Sequence, residues 1–237
     1  MSSAFFIHDI SNVDVRVAIW RHLLPRVELF YAVKTNPDQA IVDRCAKLAT
    51  GFDVASPAEM LQVYKCGGNF EKVIYANPVK SPAHIAKALE YGIKKMTFDS
   101  VEELEKIKKV MPDAECVLRI STDSSLTTAI YNLNEKYGLP MNKVDDVLRA
   151  AKNLDMRIKG VAFHVGSGGV GVKAYASSII NARKIFDRAV ELELPEMDFL
   201  DLGGGFSMVH PEPENNFNVV GPIISVLLEE HFADPKI

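Results

Sequence analysis

The stretch VELFYAVKTNPDQAIVDRCAKLATGFDVASPAEMLQVYKCGG, residues 27–68, decides the fold. Its apolar opening, VELFYAVK (27–34), reads as a strand that runs into Asn36-Pro37. The segment behind it places Ile41, Cys45 and Leu48 at i, i+4 and i+7, one face of a helix. A second strand, GFDVAS (51–56), ends in Ser56-Pro57 with Glu59 three residues past the serine. That is the S-x-x-E pattern of a capping box, and the helix it opens stops at Gly67-Gly68. Strand, small polar cap, helix and glycine stop form a unit, and the unit repeats.

Outward from this stretch, KVIYANPVK (72–80) meets Ser81-Pro82, with Ile85 and Leu89 as expected buried positions and Gly92 as the stop. KMTFDS (95–100) supplies Ser100 and Glu103 as another capping box, Leu104 and Ile107 as core positions, and Pro112 as the break before ECVLRIS (115–121). A longer polar connection, 121–138, precedes a helix over roughly residues 141–154. IKGVAFHVG (158–166) is the sixth expected strand. The helix near 173–192 is read with Ile179, Ala182, Phe186 and Val190 inward, and MDFLDLGGG (197–205) is the seventh strand, before GPIISVLLEEHF (221–232). Residues 1–25 are expected to hold a strand and a lead-in helix, and 26–237 the main domain. This alternation predicts an α/β fold with a parallel sheet. Polar residues collect at one strand end after another, which favours a TIM-type (β/α)8 barrel over an open doubly wound sheet. About seven strands are legible, so the barrel is expected to be incomplete.

Composition narrows the function. With 237 residues, 48% hydrophobic and 24% charged, the chain can bury a sizeable core. A net charge of -4 gives no basic field for nucleic acid or an anionic membrane. Cys45, Cys66 and Cys116 are odd in number and far apart, which suits neither a disulfide framework nor a zinc site and points to a reducing cytoplasm. The first residues, MSSAFFIHDISNVDV, have no basic n-region and no long apolar run, so no signal peptide or anchor is expected. The histidines other than His164 are scattered, and no metal site is expected.

Several residues at expected strand ends could carry chemistry. Lys34 closes the first strand, where a barrel would aim its amine into the mouth and a carbonyl cofactor could form a Schiff base with it; a solvated surface lysine is the plainer alternative. Gly203, Gly204 and Gly205 follow the seventh strand, either as a phosphate cradle of bare N–H groups or as a tight turn. His164 offers a cation-capable ring that could stack on a planar cofactor, with the Ser167 hydroxyl three residues on, or it is a core histidine. Asp53 and Arg119 should face the same mouth, or pair structurally with other charges. Glu59 has a sufficient role as a capping carboxylate and at most supports the site from behind. Lysine, phosphate cradle, stacking ring and inward charges on one rim together describe a pyridoxal 5'-phosphate site.

FYAVKTNP, GFDVASPAE, VIYANPVK, MTFDS, LRIST, KYG, GVAFHVGSG and LDLGGGF stand in an order and spacing similar to those of eukaryotic-type ornithine decarboxylases. These belong to the alanine-racemase-like class of pyridoxal-phosphate barrels. The resemblance runs from about residue 4 to beyond 205. It implies that Lys34 is the Schiff-base lysine, that His164 stacks on the cofactor, and that Ser167 and Gly205 belong to the phosphate site. It also implies that Asp53, Glu59 and Arg119 line the cofactor and position the lysine. The implied reaction is loss of carbon dioxide from L-ornithine, the pyridine ring taking up the electrons, then protonation at Cα to give putrescine for polyamine synthesis.

Thr35, Val54 and Val79 depart from the cysteines that many members carry there. Members continue into an eighth strand with an E-P-G-R motif and a C-terminal β-domain that acts across a homodimer. Neither lies within residues 1–237, so this chain alone is expected to be unstable or weakly active. The resemblance leaves three other readings: a non-catalytic regulator like the antizyme inhibitors, which would bind an antizyme-type partner; a single-domain pyridoxal-phosphate carrier; and a decarboxylase of lysine, arginine or diaminopimelate.

Overall fold

The computed structural model describes residues 4, 7–126, 129, 136–167, 171–234 and 237. After a lead-in helix α1 (Ser11–Leu23), strands and helices alternate: β1 (Phe30–Ala32), α2 (Gln39–Lys47), β2 (Gly51–Val54), α3 (Pro57–Lys65), β3 (Val73–Tyr75), α4 (Pro82–Glu90), β4 (Lys95–Phe98) and α5 (Val101–Val110). There follow β5 (Glu115–Arg119), α6 (Val144–Asn153), β6 (Ile158–Ala162), α7 (Val172–Glu191), β7 (Phe199–Asp201) and α8 (Phe217–His231). The strand expected within residues 1–25 falls partly on positions outside the described residues; Ile7–Asp9 have no regular structure.

The seven strands pair in chain order, each parallel to the next. An order that never reverses has no switch point, so the sheet winds one way and curls into a partial α/β barrel with helices outside. Side chains divide accordingly. Phe52, Val54, Leu118, Val161 and Leu202 join the large core against the helices. Ile74, Val117 and Ala162 form a small inner core with Phe30, Ala76 and Phe199. Phe30, Ile74, Val117 and Phe199 come from β1, β3, β5 and β7, the alternate-strand layering that fills a TIM-type barrel.

The helix starts follow the expected chemistry. Ser56, Ser81 and Ser100 have extended backbones, and each hydroxyl accepts the N–H three residues on, with proline opening α3 and α4. Three details differ. The cap of α2 is Asp38, which accepts from Ala40 N–H, while Asn36 accepts from Asp38 N–H at 3.0 Å. Leu89 and Val190 are 46% and 69% exposed; Ala88 and Ala189, one residue earlier, take the buried places. Glu103 does not reach back to its own cap. Its carboxylate accepts the backbone N–H of Lys80 instead.

One irregularity sets the site. Cys116 pairs with Ile158 but Val117 pairs with Gly160, so Lys159 is an extra residue in β6. Ile158 and Val161 therefore both face the helices, and Ala162 and the residue two further on face the barrel interior. Among the described residues, no helix is long and apolar enough to cross a membrane.

Candidate active site

The carboxyl ends of the strands meet at one mouth, and strand parity decides what points into it. On β2 the buried Phe52 and Val54 face the helices, so Asp53 between them faces inward. The same alternation turns Arg119 inward past Leu118, and Asp201 between Leu200 and Leu202. The chain tightens into a 3-10 turn at Val33–Thr35, where Val33 is buried and Lys34 turns back over the sheet. Lys34 Nζ donates to Asp53 Oδ2 at 2.8 Å and Oδ1 at 3.0 Å. Burial pushes the Asp53 carboxyl above its ordinary range, and the Lys34 ammonium pulls in the other direction. The pair is half-exposed on the lysine side and open to a ligand.

His164 lies two residues past Ala162, on the parity that the extra Lys159 created. Its Nδ1 accepts the backbone N–H of Gly166 at 3.0 Å, so a neutral ring carries its proton on Nε2. Burial, with Arg119 and Lys34 nearby, pushes its pKa down to about 4. The ring is thus a flat neutral surface at neutral pH.

The glycine run abuts the same loop. A Cβ on Gly203 would stand 2.1 Å from the Phe163 carbonyl oxygen, and one on Gly205 would stand 2.5 Å from that of Gly166. Both have positive φ, +65° and +101°. Gly204 faces the histidine, a Cβ there falling 3.2 Å from His164 Nε2. Tyr175 of α7 donates its hydroxyl proton to the Gly204 carbonyl at 2.9 Å, and its ring stacks on Phe206 at 5.0 Å. Phe206 meets Trp20 and Phe217 edge-on, so aromatic packing backs the glycine loop. Ser167 follows Gly166 in the chain, and Gly168 lies outside the described residues.

Three site residues were not singled out in the sequence: Asp99, Tyr137 and Asp201. Asp201 accepts Gly203 N–H at 2.8 Å, and burial pushes its carboxyl up to about 6. Asp99 Oδ2 accepts Gly138 N–H at 2.9 Å, which seats the KYG turn (136–138) and lays the Tyr137 ring 5.2 Å from the Arg119 guanidinium carbon. Burial lowers the Arg119 pKa, against the attraction of Asp201, Asp99 and Asp53. Asp201 closes β7, and the strand-end rule that selected Asp53 and Arg119 would have found it. Glu59 stays a capping group: Oε2 accepts Ala55 N–H at 2.8 Å and Oε1 the Ser56 hydroxyl at 3.1 Å. Among the described residues no His, Cys, Asp and Glu cluster could hold a metal ion.

Comparison with known proteins places the chain in a family. The chain is 38% identical to ornithine decarboxylase of Schizosaccharomyces pombe over 236 residues, covering 100% of this chain and 52% of that protein. It is 39% identical to antizyme inhibitor 2 of Xenopus laevis over 231 residues, covering 98% of this chain and 50% of that protein. The chain thus spans about half the length of the curated relatives it matches. Its fold superposes on the Paramecium bursaria Chlorella virus arginine decarboxylase with a TM-score of 0.90 and 29% identity, covering 96% of this chain and 60% of that one. Residues 10–237 match the model of the pyridoxal-dependent decarboxylase family, pyridoxal binding domain, and the chain belongs to that family.

Proposed function

We propose that this chain forms the cofactor-holding part of a pyridoxal-phosphate-dependent decarboxylase that converts L-ornithine to putrescine. The observation that carries the reading is the Lys34–Asp53 pair, an amine held at 2.8 Å by a partly buried carboxylate at the mouth. The residues suit the cofactor. Glycines bare the backbone where any Cβ at Gly203 or Gly205 would strike a carbonyl, and a neutral ring lies beside them. Pyridoxal phosphate, when bound, supplies a carbonyl that bonds an amine and a ring that withdraws electrons from the substrate Cα.

Lys34 would hold it through Nζ. The Ser167 hydroxyl and the N–H groups of Gly204 and Gly205 would hold its phosphate, the Gly203 N–H being taken by Asp201, and His164 would lie against its ring. Asp53 orients Nζ, and burial raises its affinity for a proton while the Lys34 charge opposes that rise. Arg119, fixed by Tyr137, balances the carboxylates of Asp53, Asp99 and Asp201 across the mouth. The free thiols of Cys45, Cys66 and Cys116 suit a cytoplasmic setting, and the homodimer of the family belongs to the same reading.

The test is to mix the purified chain with pyridoxal phosphate, reduce with borohydride and map the adduct by mass spectrometry, with Lys34→Ala as control. An adduct confined to Lys34 supports the reading; scattered or absent labelling overturns it. Carbon dioxide release from ornithine, lysine and arginine then separates the substrates, a choice kept open by the similarity to an arginine decarboxylase. The similarity to an antizyme inhibitor favours a second reading, a regulator that binds its partner without holding the cofactor. Failure to label would favour it.

A further inference from the structure

Behind the mouth lies a buried cation that the proposed chemistry does not use. The Lys80 side chain is 0% exposed. Its Nζ donates to the carbonyls of Asn77 at 3.0 Å and Thr97 at 2.6 Å, and stands 3.0 Å from Glu103 Oε1. Glu103 is 3% exposed; its Oε1 also accepts Lys80 N–H, and its Oε2 pairs with Lys106 Nζ, which donates to the Lys80 carbonyl at 2.8 Å. The loop after β3, the end of β4 and the start of α5 are thus knotted together.

A buried ion pair is weak evidence for stability as such, since removing charges from water costs several kcal/mol per ion, about what the pairing returns. The geometry here has a direction. Thr97 is in the penultimate position of β4, two residues before Asp99, which seats Gly138 and through it the Tyr137 ring on Arg119. We infer that Lys80 is a positioning residue for the active site, fixing the carboxyl end of β4 so that Asp99 holds the KYG turn and Arg119 in place. This rests on reading the mouth as the cofactor site.

The experiment compares Lys80→Met with Glu103→Gln in the full chain. Glu103→Gln removes the charge but leaves Nζ its two carbonyl acceptors; Lys80→Met removes the tie to β4. Melting temperature, hydrogen exchange of residues 136–139 without cofactor, and the pyridoxal phosphate concentration that half-saturates borohydride labelling of Lys34 are measured for each. Both variants melt lower. Lys80→Met alone loses protection at 136–139 and needs at least about tenfold more cofactor, since small displacements remote from the chemistry cost up to roughly a hundredfold.

If Lys80→Met does not fold, Lys80→Met with Glu103→Leu removes both buried charges and is read the same way. Wild-type protection at 136–139 in a folded variant lacking Lys80, or equal loss in Glu103→Gln, overturns the inference. A wild-type chain that takes no label at Lys34 overturns the cofactor reading instead, and the exchange data still decide whether Lys80 fixes the turn.

Discussion

The Nδ1 atom of His164 accepts the backbone N–H of Gly166 at 3.0 Å, and this bond commits the ring to a neutral form whose single proton lies on Nε2. Protonating Nδ1 would break the bond and place a cation near Arg119 and Lys34, which accounts with burial for a folded pKa of about 4 against an ordinary 6.5. A histidine depressed in this way stabilises the fold above pH 6.5, and that contribution is lost as pH falls toward 4. Asp201 has the opposite sign: its folded pKa of about 6 stabilises below 3.8 and the contribution is lost as pH rises through 6. It is common to wild type and a His164→Phe variant, so it cancels in their difference. Urea unfolding at pH 7 and 4.5 should show wild type losing roughly 2 kcal/mol relative to His164→Phe. Parallel pH profiles would mean the ring is not held neutral.

Neighbouring glycines should fail in different ways. Gly203→Ala puts a Cβ 2.1 Å from the Phe163 carbonyl in a positive-φ position, so the loop must move, and the loss should be a stability of about 2 kcal/mol or more. Gly204→Ala meets only the His164 ring at 3.2 Å. It should melt within a few degrees of wild type yet bind pyridoxal phosphate at least about tenfold more weakly, a loss of about 1.4 kcal/mol where backbone and ring should meet the ligand. Thermal melts paired with cofactor titrations separate the two. Equal melting temperatures for both variants would show that the loop is softer than its contacts imply.

What could be read in the sequence was whatever depends on neighbours along the chain. Ser56, Ser81 and Ser100 announce their helices because a cap needs only a hydroxyl and the N–H three residues on. Lys34, Asp53 and Arg119 were legible because position at a strand end suffices to place them. Features that need a second segment were not. The extra Lys159 that turns His164 inward is defined only by pairing with β5, and the diversion of Glu103 to Lys80 only by the meeting of α5 with a loop 23 residues away. Tyr137 reaches Arg119 through the Asp99 bond to Gly138, a contact across 39 residues. Leu89 and Val190 were misplaced for a different reason: a helical period tolerates a rotation of one residue when alanine is available to fill the tighter place.

Tyr175 tests whether the aromatic backing of the glycine loop acts through its hydroxyl or its ring. Tyr175→Phe keeps the stack on Phe206 and removes the donor to the Gly204 carbonyl. A buried neutral hydrogen bond contributes about 1 kcal/mol net, so the melting temperature should fall by a few degrees. Lys34 should still label, with a higher half-saturating concentration of pyridoxal phosphate. Tyr175→Leu also removes the ring and should lower stability by about 3 kcal/mol. If Phe and Leu cost the same, the hydroxyl alone anchors the loop.

Gly160 is the most stringent test of the barrel. It follows the extra residue of β6 and faces β7 so closely that a Cβ would lie 1.7 Å from the Phe199 carbonyl oxygen. No rotamer relieves that contact, because Cβ has none and the obstacle is backbone. Gly160→Ala must therefore part β6 from β7, where Gly160 pairs with Phe199 and Ala162 with Asp201. That parting would move Asp201 and the Gly203 turn it holds away from His164, so structure and site should fail together. The expected loss is above about 4 kcal/mol, near the whole stability of a marginal domain, and the variant should accumulate as insoluble protein or lack a cooperative melt. As a control, Ala162→Gly in the same strand removes one methyl from the small inner core and should cost about 1 kcal/mol while leaving Lys34 labelling intact. A soluble Gly160→Ala chain with wild-type labelling would show that β7 can slide without disturbing the mouth, and would contradict the coupling of the β6–β7 pairing to the site.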